Sequence, residues 1–121
     1  MELAIIAHDG KKAEMVNFLM KNIEKLRENN VEIIATGTTG TFVEQAGLKV
    51  TKMLSGPKGG DAQIAARVAE GKTHMVFFFR DPMGKHVHEP DINMLLRMCD
   101  VWNVPLATNP ATATLLIDHL Q

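Results

Sequence analysis

The sequence predicts a single α/β domain built on a five-stranded, doubly wound parallel sheet. Five short apolar runs alternate with longer segments of helical periodicity along the 121 residues, which is the pattern of repeated β-α units. One run, Met75–Phe79, is apolar on both faces, as expected of a central parallel strand. Glycines and an Asn-Pro pair stand at several boundaries between segments, where helices typically end or begin.

The first two units occupy the N-terminal part of the chain. Leu3–Ala7 is the first predicted strand, and residues 11–28 form a predicted helix because their apolar positions recur every three or four residues. Val31–Ala35 is the second predicted strand. A short helix over residues 40–46 follows it, and Gly47 is expected to end that helix.

Two further units follow in the same order. Leu48–Leu54 is a weaker third strand, followed by a helix over residues 61–70 that Gly71 closes. The fourth strand is Met75–Phe79, and the helix after it spans Pro90–Trp102, with proline at a permitted first-turn position.

The last unit has a strand over Val104–Ala107, with Pro105 suited only to the strand start or an edge. Asn109 and Pro110 form an N-cap and first-turn pair that opens the final helix. Right-handed crossovers place helices on both faces of such a sheet. The five loops that leave the strands then share one edge, where ligands bind in this type of fold.

The composition is that of one globular domain. The formal net charge is −1, so no overall field attracts nucleic acid or an anionic membrane, and any anion site must be built locally. Cys99 is the only cysteine, which excludes an internal disulfide and fits a reducing compartment. The sequence has neither a signal-peptide pattern nor an apolar run long enough to span a bilayer, and we expect a cytoplasmic protein.

The first loop brings an imidazole, a carboxylate and two ammonium groups to a helix start, in the order His8, Asp9, Gly10, Lys11, Lys12. The structural alternative is an N-cap role for Asp9 and solvated lysines, and it is adequate for Asp9 and Lys11. His8 directly follows a buried strand, and for it a functional and a structural role are equally open.

The second and third loops have the composition of a phosphate site. Thr36–Gly40 has three hydroxyls and two glycines, where glycine lets backbone N–H groups approach an anion and the helix N-terminus favours negative charge. A threonine-capped turn is the structural alternative. Ser55–Asp61 again combines a hydroxyl, glycines and a helix start. Asp61 is either an N-cap or a base that faces the carbon skeleton of a substrate; we favour the base, and the two roles are compatible.

The fourth loop, residues 80–91, is the longest and most polar. His88 and Asp91 flank the predicted helix start, and a histidine with nearby acids suits proton transfer and electrophilic assistance. A metal site is disfavoured because His86-x-His88 with scattered acids lacks a recognised ligand spacing. Asp81 is equally consistent with a turn residue before proline.

Other signatures narrow the function. No Walker A loop and no Gly-x-Gly-x-x-Gly follows a predicted strand, which favours a small ligand over a nucleotide. The sequence has no Ser-His-Asp or Cys-His pattern that would indicate a catalytic nucleophile. Cys99 is expected to be buried. The helix Pro90–Trp102 has more apolar residues than one core-facing stripe requires, so we expect a subunit contact there.

These loops resemble those of the methylglyoxal synthase family over essentially the whole chain. The matching stretches, in order, are Ala7-His8-Asp9, Ala35 to Gly40, Leu54 to Pro57 with Gly59-Gly60-Asp61, Asp81-Pro82, His88-x-Pro90-Asp91, and Pro105 to Asn109. The resemblance implies a single Rossmann-like three-layer domain over residues 1–121 and a homohexamer without metal or organic cofactor. It implies a cytoplasmic lyase of a glycolytic bypass that converts dihydroxyacetone phosphate to methylglyoxal and inorganic phosphate, with phosphate also an inhibitor and neither nucleic acid nor membrane as a partner.

The resemblance also assigns site residues. Substrate contacts are implied for His8, Lys12, Thr36, Gly37, Thr38, Thr39, Ser55, Gly56 and His88. Asp61 is similar to the family's catalytic acid/base, with Asp91 beside it. The family varies around Lys11, so Lys12 is the preferred lysine, and Arg80 stands where some relatives have an apolar or aromatic residue. Some relatives have a longer tail that supplies a basic residue to a neighbouring site, and that contact is not carried over.

The chemistry suggests a sequence of steps. Asp61 removes a proton from the hydroxymethyl carbon, His88 donates a hydrogen bond to the developing oxyanion, and Asp91 or His8 orients His88 or moves protons. Phosphate leaves only if its C–O bond stands perpendicular to the enediolate plane. Two alternatives are a regulatory ligand-binding module, which has no need of these acids, and a triose-phosphate isomerase activity, which shares the first step.

Overall fold

The computed structural model describes residues 1–84 and 89–120. Its strands are β1 (Glu2–Ala7), β2 (Glu32–Ala35), β3 (Thr51–Lys52), β4 (Met75–Phe79) and β5 (Leu106–Ala107). Its α-helices are α1 (Lys12–Lys21), α2 (Ile23–Glu28), α3 (Gly37–Gln45), α4 (Gly60–Ala69), α5 (Glu89–Val101) and α6 (Pro110–His119). The strand order is β3-β2-β1-β4-β5 with every pair parallel, which confirms the predicted fold class.

Two apolar layers cover the faces of the sheet. Alternate side chains of β1 point to opposite faces, with Leu3 and Ile5 on one side and Ala4 and Ile6 on the other. Helices α1, α2, α3 and α6 pack against the first face, and α4 and α5 against the second. Cys99 of α5 lies in the second layer, as predicted, and burial followed by the nearby Asp100 charge raises its pKa to about 11.

The predicted helix over residues 11–28 is wrong as one continuous element. It breaks at Asn22, whose side-chain amide donates to the Phe18 carbonyl at 2.8 Å while its backbone N–H donates to Leu19 at 3.2 Å. A side chain that bonds the carbonyl four residues earlier competes with the helical backbone ladder. The chain resumes as α2 directly afterwards.

Other predicted element boundaries differ from the observed ones by a few residues. Helix α3 begins at Gly37, three residues before the predicted start, so the hydroxyl-rich loop is the first turn of a helix. Strand β3 is two residues long, much shorter than the predicted Leu48–Leu54. Gly47 and Gly71 have φ of +93° and +76° just after α3 and α4, as predicted for residues that end helices.

The Glu2 side chain lies at the N-terminal end of β1, at the edge of the sheet opposite the loops. Two guanidinium nitrogens of Arg67 donate to its carboxylate, Nη2 at 2.6 Å and Nε at 3.0 Å, and the Thr73 hydroxyl donates to it at 2.6 Å. Burial raises the pKa of Glu2, but these donors outweigh burial and hold its pKa below the ordinary value.

Helix α5 leaves apolar side chains on the surface, as the sequence predicted. Val101 and Trp102 are each 54% exposed at its C-terminal end. In residues 1–84 and 89–120, no helix is long and apolar enough to cross a membrane.

Candidate active site

A cavity of 530 Å³ opens at the edge of the sheet where the strands end. The sheet order reverses between β1 and β4, and α/β folds bind ligands at such switch points. The cavity is lined by Ile6, Ala7, His8, Asp9, Gly10, Lys12, Thr36, Thr38, Thr39, Ser55, Gly56, Pro57, Asp61, Asp81 and Gly84. It therefore brings together residues from the first four loops, as the topology predicted.

The first turn of α3 forms one wall of the cavity. The backbone N–H of Gly37 donates to the Leu54 carbonyl at 3.0 Å, and the backbone N–H of Gly40 donates to the Thr36 carbonyl at 2.7 Å. The N–H groups of Thr38 and Thr39 meet no acceptor in the described part of the chain. Donors at a helix N-terminus bind anions well.

Gly37 brings two loops together, although it does not itself line the cavity. A Cβ at this position would lie 3.1 Å from the Met53 carbonyl oxygen and 3.2 Å from the Ser55 nitrogen. Any larger residue would push the third loop away from α3 by a few tenths of an ångström. Ser55 and Gly56 consequently line the same cavity as Thr38.

The third loop places Asp61 in the first turn of α4. The Ser55 carbonyl accepts the N–H groups of Lys58 and Gly60, at 3.0 and 2.9 Å, which closes a tight turn before the helix. The N-cap of α4 is Gly59, and Asp61 is the second residue of the helix, so the N-cap interpretation of Asp61 is wrong. Its side chain is fully buried and lines the cavity.

The first loop supplies the cation of the site. Lys12 is 6% exposed, and its Nζ donates to the Ala7 carbonyl at 3.0 Å and to Asp9 Oδ1 at 2.7 Å. The N-cap interpretation of Asp9 is wrong, because Asp9 opens a 3₁₀ turn and its carboxylate pairs with Lys12. Lys11 instead pairs with Glu14 at 3.3 Å near the surface, which agrees with the preference for Lys12.

His8 is held by the fourth loop. Its Nδ1 accepts the backbone N–H of Asp81 at 2.9 Å, and its ring stands edge-on to Phe78 with a centroid distance of 5.2 Å. An Nδ1 that accepts a hydrogen bond leaves the proton of a neutral imidazole on Nε2. His8 is 5% exposed and lines the cavity.

The fourth loop contains a residue that sequence reasoning undervalued. Asp81 lines the cavity, and its Oδ1 also accepts the Met83 N–H at 2.9 Å, as a turn residue would. The available signal was an acid two residues after the fully buried strand β4. His88 lies outside the described residues, and its predicted role stays a prediction.

Asp91 lies in the first turn of α5, half-buried, and is not among the residues that line the cavity. Its catalytic role also stays a prediction. The fifth loop contributes a helix cap, since Asn109 Oδ1 accepts the Thr112 N–H at 3.0 Å as predicted.

The charged groups of the described lining do not by themselves attract an anion, so an anion bound there would be held mainly by neutral donors. Lys12 is the cation among the described lining residues, and the carboxylates are Asp9, Asp61 and Asp81. The Asp9 side chain is 97% exposed and is paired with Lys12. The buried acid, Asp61, is therefore the carboxylate best placed for chemistry inside the cavity.

Comparison with known proteins agrees with this site. A family model described as the MGS-like domain matches residues 18–108. A methylglyoxal synthase from Clostridium botulinum (strain Eklund 17B / Type B) is 51% identical over 118 residues, which cover 97% of this chain and 98% of that protein. The chain belongs to the methylglyoxal synthase family. The resemblance recognised in the loops is thus confirmed.

Two further relatives extend the match. The methylglyoxal synthase of Cupriavidus pinatubonensis (strain JMP 134 / LMG 1197) is 55% identical over 120 residues, covering 98% of this chain and 91% of that protein. The crystal structure of methylglyoxal synthase from Elizabethkingia anophelis NUHP1 has a TM-score of 0.89 and 39% identity, over 96% of this chain and 76% of that one. Membership of the methylglyoxal synthase family makes this chain an enzyme, a carbon–oxygen lyase acting on phosphates.

Proposed function

We propose that this enzyme converts dihydroxyacetone phosphate to methylglyoxal and inorganic phosphate through an enediolate. The observation that supports this most is the placement of a fully buried carboxylate, Asp61, in the same cavity as the donor-rich first turn of α3. A base for carbon acids and a binding site for phosphate are the two parts that the reaction needs.

The phosphate group would bind between α3 and the third loop. Its donors are the N–H groups of Thr38 and Thr39, the Ser55 hydroxyl, the Gly56 N–H and the Lys12 ammonium, whose third proton is not used by Ala7 or Asp9. Backbone donors are rigid, and a helix N-terminus adds a partial positive charge. The same donors would stabilise the additional charge on phosphate as it leaves.

The proton transfer would use Asp61 as the base. Its carboxylate would take the proton from the hydroxymethyl carbon, as a positioned general base does. The Nε2–H of His8 is suited to donate to an oxygen of the enediolate, since its Nδ1 is occupied by the Asp81 N–H. His88 and Asp91 are proposed to complete the proton relay.

Geometry would decide between elimination and isomerisation. Phosphate departs when its C–O bond is perpendicular to the enediolate plane, because its antibonding orbital then overlaps the π system. Held in that rotamer by the Thr38 and Gly56 side of the cavity, the substrate loses phosphate before it is reprotonated. Binding energy from the phosphate would in this way set the geometry at the reacting carbon.

The test is a product assay on dihydroxyacetone phosphate. We expect equal amounts of free phosphate and dicarbonyl, whereas an isomerase gives glyceraldehyde 3-phosphate and a regulatory module gives no product. Asp61→Asn should lower turnover at least about 100-fold, the lower end of general base effects, and should keep its affinity for inorganic phosphate. The matched control is Asp118→Asn, since Asp118 lies on the surface with its side chain 63% exposed. Full activity in Asp61→Asn would remove Asp61 from the base role.

We also propose that the enzyme assembles as a homohexamer in the cytoplasm. Inorganic phosphate would inhibit it by occupying the α3 cradle, formed by Thr38 and Thr39 of α3 with Ser55 and Gly56 of the third loop. The exposed Val101 and Trp102 at the C-terminal end of α5 support assembly, because soluble monomers rarely leave such residues clustered. Light scattering at micromolar concentration should give six subunits, and a monomer would contradict the proposal.

A further inference from the structure

At the end of β1, the backbone of Ala7 forms hydrogen bonds with side chains where a neighbouring strand would otherwise pair with it. Strand β2 pairs with β1 only as far as Ala35, and the chain then turns into α3. On the other side of β1, the His8 N–H still donates to the Phe79 carbonyl at 3.2 Å. Successive residues of a strand direct their backbone groups to alternate sides, so Ala7 faces the side that β2 has left.

The Thr39 side chain occupies the side of Ala7 that β2 leaves open. Its Oγ1 accepts the Ala7 N–H at 3.1 Å, donates to the Ala7 carbonyl at 3.3 Å, and accepts the Thr36 hydroxyl at 3.3 Å. A hydroxyl has one proton and two lone pairs, and these three contacts use all of them. With Thr39 only 1% exposed, its hydroxyl is committed to protein atoms.

The same carbonyl also holds the cation of the site. Lys12 Nζ donates to the Ala7 carbonyl at 3.0 Å, and His8 is the next residue in the chain. The position of the Lys12 ammonium and of the His8 ring therefore depends on the Ala7 backbone. That backbone is in turn attached to the first turn of α3 through Thr39.

We propose that the Thr39 hydroxyl is a positioning group that sets the distance between the α3 cradle and the pair Lys12 and His8. The substrate would meet Thr39 through its backbone N–H only. This inference rests on the proposed function for its kinetic consequences, while its structural content is independent of the reaction.

The test begins with Thr39→Val, which removes the hydroxyl and keeps the branched shape. We expect kcat to fall about 10- to 100-fold, the effect of misplacing reacting groups by up to about 1 Å. The affinity for inorganic phosphate should fall less than about tenfold, or about 1.4 kcal/mol, because the Thr39 N–H and the Lys12 ammonium are both kept and only their spacing changes. Thr39→Ser keeps the hydroxyl and should restore kcat to within about threefold.

The matched control is Thr41→Val on the same helix. The Thr41 hydroxyl donates to the Gly37 carbonyl at 3.0 Å, and Thr41 does not line the cavity. It should keep the kinetic constants of the wild type. Amide hydrogen exchange supplies a readout without turnover: the Ala7 amide should exchange as slowly as that of Ile6 in the wild type and faster than it in Thr39→Val.

Four results would overturn the proposal. They are an unchanged kcat in Thr39→Val, a loss of phosphate affinity of tenfold or more at constant kcat, a Thr39→Ser variant as impaired as Thr39→Val, or rapid exchange of the Ala7 amide in the wild type. If Thr39→Val does not fold, Thr39→Ser and the wild-type exchange decide. If the wild type forms no product from dihydroxyacetone phosphate, the proposed function fails, and phosphate affinity and Ala7 exchange still decide the positioning role.

Discussion

Gly60 stands at the start of α4, directly before the buried Asp61, and we predict that Gly60→Ala damages both stability and activity. A Cβ at this position would overlap the Leu54 carbonyl oxygen and lie 2.8 Å from the Leu54 carbonyl carbon and 3.0 Å from that of Ser55. All three atoms belong to the backbone, which cannot rotate away as a side chain does. The third loop or the first turn of α4 must therefore move.

The magnitude follows from two opposing effects. Overpacking of this kind costs about 1–3 kcal/mol, and replacing glycine by alanine recovers about 0.4–1 kcal/mol through the entropy of the unfolded chain. The net loss is about 1–2 kcal/mol in the free energy of unfolding. For a chain of this length that corresponds to a Tm lowered by roughly 4–8 °C. A shift of Asp61 by about 1 Å would lower kcat by up to about 100-fold.

Thermal unfolding at a fixed protein concentration and the product assay measure the two effects. Gly40→Ala is the comparison variant, because a Cβ there would meet side chains only, with Lys52 Cγ at 2.6 Å and Ala35 Cβ at 3.4 Å. Moving a side chain costs less than moving the backbone, so Gly40→Ala should lose less free energy of unfolding than Gly60→Ala. A Gly60→Ala variant with the stability and kcat of the wild type would refute the argument from backbone contact.

Two other predictions concern charges. Lys12→Met should weaken the affinity for inorganic phosphate by about 10- to 100-fold, because one charge-assisted hydrogen bond is lost. Lys11→Met should change that affinity less than about twofold, because the ion pair of Lys11 is at the surface. Equal effects of the two variants in competition binding would contradict the assignment. The lowered pKa of Glu2 means that its contribution to stability is complete above its ordinary value of 4.5 and is lost as the pH falls through the folded-state value. Urea unfolding should show a smaller loss of stability in acid for Glu2→Gln than for the wild type, and parallel pH profiles would count against the Arg67 contact as its cause.

Local patterns in the sequence predicted the elements whose signals are local. Strand β4 was predicted with its observed bounds, since a run of five apolar residues has no competing helical period. The cap at Asn109 and the positive φ of Gly47 follow from chemistry within a few residues. The short length of strand β3 and the break at Asn22 were missed because they depend on pairing at a sheet edge and on one side-chain hydrogen bond.

The sequence by itself determined the α/β class, the edge of the sheet where the loops meet, and most of the residues that line the cavity. A β-α order and right-handed crossovers suffice for that, whatever the side chains do afterwards. Only the tertiary structure decided the individual roles: the Thr39 hydroxyl faces Ala7, Asp9 pairs with Lys12, and His8 accepts the N–H of Asp81. Such roles depend on which donor and acceptor lie within about 3 Å of each other, and residues 32 or 73 positions apart in the chain become neighbours only when the sheet is assembled.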